Sequence, residues 1–169
     1  MQRYVDNGFD YSKSATFRKV RDSVNAEPGL TYLNIKNAVP KVTICTQMDI
    51  TFIRPEGFEK KPSNQNDRSV IVKIDYKNDT ILFVGYCEEH QEALILKDQN
   101  ATTLIQDIDF LKAGHHGSDT SSTSDFLDEV NPKIVVVSSG KTGVGKNRSY
   151  KHPRKEILSR FQEYATHRE

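Results

Sequence analysis

Cysteine is scarce in this sequence: Cys45 and Cys87 are the only two in 169 residues, and they do not form a CxxC pair. A disulfide framework is excluded, and a reducing cytoplasm is the expected location. Long apolar runs are missing as well, so no membrane association is expected, and Met1-Gln-Arg-Tyr-Val-Asp lacks the pattern of a signal peptide. Charge of one sign is not in excess. With 24 Lys/Arg against 23 Asp/Glu the formal net charge is +1, which gives no electrostatic case for a nucleic-acid-coating protein or an acidic tail. Internal repeats and dividing linkers are absent too. The length suffices for one domain with a proper core, and residues 1–169 are read as a single domain.

What is present alternates between strand and helix patterns. Arg3–Asp6 reads as a short strand ending at the turn dipeptide Asn7-Gly8. Ser12–Val24 has helical spacing, with Phe17, Val20 and Val24 on one face and Arg18, Lys19, Arg21 and Asp22 on the other. Strands are expected at Leu30–Ile35, Lys41–Cys45, Asp49–Ile53 and Ser69–Tyr76, with a loop from Arg54 to Arg68 as the best candidate for mobility. Thr80–Val84 is nearly all apolar, which predicts a strand buried on both faces. A helix over Glu88–Leu96 should turn Ala93, Leu94 and Leu96 inward. Lys133–Ser138 is the most strand-like run. A C-terminal helix begins near Pro153, with Ile157, Leu158, Phe161 and Tyr164 as its inner stripe. The fold class is α/β: a mixed sheet, largely antiparallel early, with helices packed on it.

The chemistry concentrates at Leu111-Lys-Ala-Gly-His115-His116-Gly-Ser118-Asp-Thr-Ser-Ser122. An apolar strand from Ile108 runs into two histidines set between Gly114 and Gly117, which allow a sharp turn and leave the imidazoles uncovered. A hydroxyl-rich loop follows. Then a helix starts, with Ser122 or Thr123 as its N-cap and Phe126, Leu127 and Val130 facing inward. A strand end, bare histidines, a hydroxyl loop and a helix start present metal ligands or phosphate-binding groups at a sheet edge. The bland alternative is a surface turn that happens to hold two histidines; the flanking glycines and the preceding strand favour a site.

Gly140-Lys-Thr-Gly-Val-Gly145-Lys146 nearly spells a P-loop nucleotide-binding motif. Its last position, which should bind magnesium through a hydroxyl, is Asn147, and Arg148–Pro153 delays the helix that such a loop needs at once. A flexible basic loop is the preferred reading.

Several segments together resemble the metallo-β-lactamase superfamily, specifically the ComEC-type competence proteins and their stand-alone hydrolase relatives. Leu111–Ser118 resembles their histidine-glycine-serine signature, and Thr120–Ser138 continues it in register. Tyr150-Lys-His152-Pro153 resembles their final histidine-proline element, Asn66–Val72 the strand leading to their acidic metal ligand, and Tyr4–Gly8 a segment after their main metal motif. The resemblance implies the C-terminal part of an αββα sandwich and metal-dependent hydrolysis of phosphodiester or other ester bonds. Zinc or manganese would activate a water there. Of the candidate metal ligands His115 and His116, one would hold a metal, and Ser118 with the hydroxyls of the following loop would meet substrate oxygens or orient the ligand. His152 would face the cleft and contact the leaving group or a phosphate.

Two departures qualify that implication. No histidine occurs before His90, so the family's HxHxDH cluster is absent. Where the family closes its buried strand with Gly-Asp, this chain has Gly85-Tyr86, and a phenol is a weak replacement for a bridging carboxylate. Cys87 or Glu88 would substitute only if the register slipped; a buried thiol beside a packed tyrosine is the preferred reading. The expectation is a hydrolase-like fold that is impaired or inactive as this chain alone, with a non-catalytic remnant or binding module as the alternative. Half a sandwich leaves one sheet face uncovered, so a homodimer or a complementing N-terminal half is also expected.

Overall fold

A computed structural model describes residues 2–36, 41–58, 60 and 64–166. The loop expected over Arg54–Arg68 lies partly outside them. Two sheets form. The smaller pairs β1 (Gln2–Asp6) with β2 (Leu30–Asn34) in parallel, joined by α1 (Ala15–Ala26). Ser14 caps α1 by accepting from the Phe17 amide. The helix is amphipathic as expected, but none of its residues is buried, and Val20 is 39% exposed.

The larger sheet has six strands in chain order: β3 (Lys41–Cys45), β4 (Met48–Ile53), β5 (Ile71–Tyr76), β6 (Asp79–Phe83), β7 (Phe110–Lys112) and β8 (Ile134–Val136). Strands β3 to β6 are antiparallel; β6, β7 and β8 are parallel to one another. This mixed α/β arrangement matches the expected fold class. Parallel neighbours need long crossovers, and helices supply them. Helices α2 (Glu89–Lys97) and α3 (Gln99–Ile105) join β6 to β7, and α4 (Ser124–Val130) joins β7 to β8. A short α5 (Asn147–Tyr150) and the terminal α6 (Lys155–Thr166) complete the described chain.

The core lies between the sheet and α2, α3, α4 and α6. It gathers Ile53, Ile71, Leu82, Val84, Ile95, Ile105, Leu111, Phe126, Leu127 and Val130, with Phe161 and Tyr164 packed against it. Each large side chain buried there contributes about 1.5–3 kcal/mol of transfer free energy. The opposite sheet face is also apolar yet remains open. Phe83 is 42%, Ile134 49% and Val136 46% exposed. The expectation that the Thr80–Val84 strand is buried on both faces is therefore wrong at Phe83: an apolar run carries no information about whether a second layer covers it. Two helix faces also differ from expectation. The buried side of α2 is Gln91, Glu92 and Ile95, while Ala93, Leu94 and Leu96 are half-buried. In α6, Leu158 is 46% exposed and only Ile157 is fully buried.

Candidate functional site

Because β6, β7 and β8 run parallel, their C-terminal ends open on one edge of the sheet, the place where α/β folds collect reactive groups. Three segments leave that edge: Gly85-Tyr86 after β6, Ala113–Gly117 after β7, and Val137-Ser138 after β8. They are stitched together through the backbone. The His115 amide donates to the Gly85 carbonyl at 3.0 Å, and the Ala113 amide to the Val136 carbonyl at 3.0 Å. Ser69, at the start of β5 on the same edge, accepts from the Tyr86 amide at 2.8 Å.

The two histidines sit in a single 3-10 turn, Gly114–His116, and both have left-handed backbones, with φ of 42° at His115 and 56° at His116. Non-glycine residues in that region carry strain, of the order of 1–3 kcal/mol each, which persists only when the surroundings hold it. Gly117 (φ 82°) closes the turn, and a Cβ placed there would lie 2.8 Å from the Pro153 Cβ. The turn is thus packed onto the segment that brings in His152.

His115 points its Nδ1 at the Glu88 carboxylate, 2.7 Å away. Glu88 is a hub: it also accepts from Asn64, from the Asn66 side chain at 3.1 Å and from the Thr120 hydroxyl at 2.9 Å. Burial by itself would raise the Glu88 carboxyl, but the hydrogen bonds from Asn66, Thr120 and His115 outweigh it and hold it below the usual range. An ionised carboxylate accepts only, so His115 Nδ1 carries a proton and donates it to Glu88, while Nε2 makes no hydrogen bond among the described residues. The same logic fixes His116. Its Nδ1 lies 2.7 Å from the Ser138 carbonyl, which can only accept, and its Nε2 lies 3.0 Å from the Tyr86 hydroxyl. In the neutral ring Tyr86 therefore donates to Nε2.

His152 joins from the other side. Its ring centroid is 5.3 Å from that of His115, and its buried Nδ1 has no hydrogen-bond partner. Burial lowers its basicity, and the neighbouring His115 and His116 lower it further. Tyr150 stacks on His152 at 5.9 Å and is 60% exposed. From Ser138 to Lys155 the chain carries Lys141, Lys146, Arg148, Lys151, Arg154 and Lys155 and no acidic residue, so this side is locally cationic despite the balanced total. Asn147, at the position of the missing magnesium hydroxyl, donates to the Gly140 and His152 carbonyls and staples the loop.

The residues expected from the sequence are thus brought together in part. His115, His116 and His152 share the edge. Ser118 is 5% exposed; its hydroxyl is bonded to that of Thr120 at 2.9 Å, one step behind Glu88. Two participants have roles that the sequence does not disclose. Tyr86 is not packed away: it is 46% exposed, its ring 4.6 Å from that of His115. Glu88, which the sequence offers only as a slipped metal ligand, holds His115 from behind. Cys87 is fully buried as expected, and burial first, then the carboxylates of Glu92, Asp67 and Glu88, push its thiol well up.

A catalytic zinc commonly keeps three protein ligands. Among the described residues, no group of three or more His, Cys, Asp or Glu side chains is placed to hold a metal ion. His116 has both nitrogens engaged, and His115 offers Nε2 alone. The donors among the described residues do not fit a two-metal centre. No described helix is long and apolar enough to cross a membrane.

No family model matches the chain. It is similar to competence protein ComA of Neisseria gonorrhoeae, 30% identical over 115 residues, which cover 68% of this chain and 15% of that protein. It is similar also to ComE operon protein 3 of Bacillus subtilis (strain 168), 28% identical over 104 residues (62% and 12%). Recombination protein 2 of Haemophilus influenzae is 30% identical over 99 residues (59% and 11%). The chain thus matches between 11% and 15% of the length of these curated relatives.

Proposed function

We propose that this chain is a hydrolase-type protein acting on phosphodiesters of a nucleic-acid strand, built on the C-terminal part of a metallo-β-lactamase-like αββα fold. One observation carries the reading: Tyr86, His115, His116 and His152 converge where three parallel strands end, beside a cationic loop. Imidazoles beside a hydroxyl or a carboxylate can exchange protons near neutral pH, lysines and arginines attract phosphate, and exposed aromatic rings stack on bases. The open apolar sheet face supports the notion of a missing layer, and similarity to competence and recombination proteins is compatible with a nucleic-acid substrate.

The incomplete donor set bears on how the chemistry would run. Zinc or manganese would need further ligands from a complementing segment or a partner chain, so the chain's own groups carry every step. The residues present would bind a phosphate, orient it against the Tyr86–His116 pair and move protons through His115 Nε2. A binding module without turnover is the second reading, and the same incomplete donor set favours it.

The test is paired. A labelled single-stranded oligonucleotide is titrated with the protein by fluorescence anisotropy, and bis(p-nitrophenyl) phosphate hydrolysis is followed with and without manganese or zinc. Binding that weakens with salt, with hydrolysis lost in His116→Ala, is expected. Binding with no hydrolysis under any condition selects the binding module. Failure of both overturns the proposal.

A further inference from the structure

The position that the resemblance reserves for a metal-bridging carboxylate holds a phenol, and that phenol is wired as a nucleophile. A weak nucleophile is activated by a base within hydrogen-bond reach, itself oriented by a third group. Here the Ser138 carbonyl accepts from His116 Nδ1 at 2.7 Å, and His116 Nε2 accepts from the Tyr86 hydroxyl at 3.0 Å. The hydroxyl belongs to a residue that is 46% exposed. Beside it stands a second oriented imidazole: His115 is bonded to Glu88 through Nδ1, its ring lies 4.6 Å from that of Tyr86, and its Nε2 makes no hydrogen bond among the described residues. Both rings stand on strained backbones that the surrounding contacts hold in place.

We propose that Tyr86 attacks the phosphorus of a nucleotide phosphodiester directly, forming a covalent tyrosyl phosphodiester without a metal ion. The proposal rests on the phosphodiester reading above and deepens it. In the first step the Tyr86 oxygen–phosphorus bond forms as the bond from phosphorus to the leaving alcohol oxygen breaks. The phenolic proton passes to His116 Nε2. His115 starts the cycle as an imidazolium, its Nδ1 proton held by the Glu88 carboxylate, and the leaving oxygen takes the proton of its Nε2. In the second step water attacks the phosphorus and gives a proton to His115 Nε2, while the departing phenolate recovers its own from His116. Water is the only co-reactant, and both histidines return to their starting state. The cationic run from Lys141 to Lys155 supplies the charge that the phosphate would otherwise draw from metal ions, and the exposed Tyr150 ring over His152 offers a surface for the base.

The experiment uses thymidine 5′-(p-nitrophenyl) phosphate in the presence of EDTA, with oligonucleotide binding measured in parallel. The expected result is release of nitrophenolate insensitive to EDTA. An acid-stable mass increase of one thymidylyl group should map to Tyr86. In Tyr86→Phe the adduct disappears and turnover falls about a hundredfold or more, while binding is retained. If turnover is too fast for the adduct to accumulate, a chiral phosphorothioate ester decides: two displacements give retention at phosphorus. Inversion overturns the proposal, as does an adduct that persists in Tyr86→Phe or is acid-labile, which would mark a histidine. Oligonucleotide binding with neither adduct nor turnover overturns the nucleophile and leaves the phosphodiester reading standing; absence of binding overturns both.

Discussion

The parallel strands β6, β7 and β8 end very differently at their two edges. At the N-terminal edge the polar groups satisfy one another. Asp109 pairs with Lys133 at 2.6 Å and accepts from the Thr80 amide and hydroxyl, and Asp107 accepts from the Asn131 side chain at 2.6 Å. A groove of about 780 Å³ opens there between Lys133, Val135, Phe161 and Tyr164, but no reactive cluster faces it. At the C-terminal edge the same strands deliver strained histidines, an unpartnered His152 nitrogen and an exposed phenol. Pairing that lowers energy is complete at one edge and stops short of complete at the other. The candidate site is thus marked by its unspent donors and acceptors rather than by the size of a depression.

The strongest way to break this contrast is to remove what the edges share. Leu111, fully buried in β7, packs between them. Leu111→Ala should cost about 2–5 kcal/mol by urea denaturation, through lost transfer energy and a cavity. Both edges should fail together, with oligonucleotide binding lost in step with folding. Binding that survives at full strength in the destabilised but folded population would mean that the C-terminal edge depends on its loops rather than on the strands.

A sharper cut separates the edges. Gly117 has φ of 82° and no room for a Cβ beside Pro153. Gly117→Ala should cost about 1–3 kcal/mol. It should also push His152 away from His115, lowering phosphodiester binding while the Asp109–Lys133 pair stays intact. Denaturation and anisotropy on one preparation measure both effects. A stability loss with unchanged binding would show that His152 is not part of the phosphate seat.

The sequence discloses the C-terminal edge unevenly, for physical reasons. The paired glycines around His115 and His116 are legible as turn markers, although only Gly117 has a left-handed backbone and Gly114 instead lacks room for a Cβ, with Ser121 3.0 Å away; the N-cap of α4, Thr123, is legible because its hydroxyl accepts from the Phe126 amide. Helix α3 is not anticipated. It is seven residues long, capped by Asp98, and Thr102 among its buried residues breaks the apolar stripe that signals a helix. The inner face of α2 is misread because two of its buried residues are polar. Glu92 accepts from the Ser122 and Thr123 amides and so caps α4, and Gln91 donates to the Ser69 carbonyl. Buried wiring of this kind has no hydrophobic period. Tyr86 reads from the sequence only as a poor metal ligand; its hydroxyl partner is thirty residues away, a distance that only the topology closes.

Glu88→Gln probes the imidazole that the carboxylate orients. The amide would set a donor against the side chains of Asn64 and Asn66 and would no longer support an imidazolium at His115. Turnover of the thymidine ester should fall about ten- to a hundredfold, with the larger loss in kcat than in KM. An equal loss in Asn66→Ala would trace the effect to packing of the hub rather than to the charge beside His115.

The smallest effect belongs to the satisfied edge, and its pH dependence identifies it. Hydrogen bonds from Lys133 and from the Thr80 amide and hydroxyl bring the Asp109 carboxyl from 3.8 to about 2. A carboxylate whose folded value is depressed adds stability above its unfolded value, and that contribution is lost as pH falls through the folded one. Asp109→Asn should therefore lower Tm slightly at neutral pH, and the difference from the parent should narrow between pH 3.8 and about 2. Because the pair is solvent-facing, salt should shrink the same difference. Turnover at the far edge should not respond. A change in thymidine ester cleavage in this variant would mean that the two strand ends are coupled through β7, and that the division of labour between them is not local.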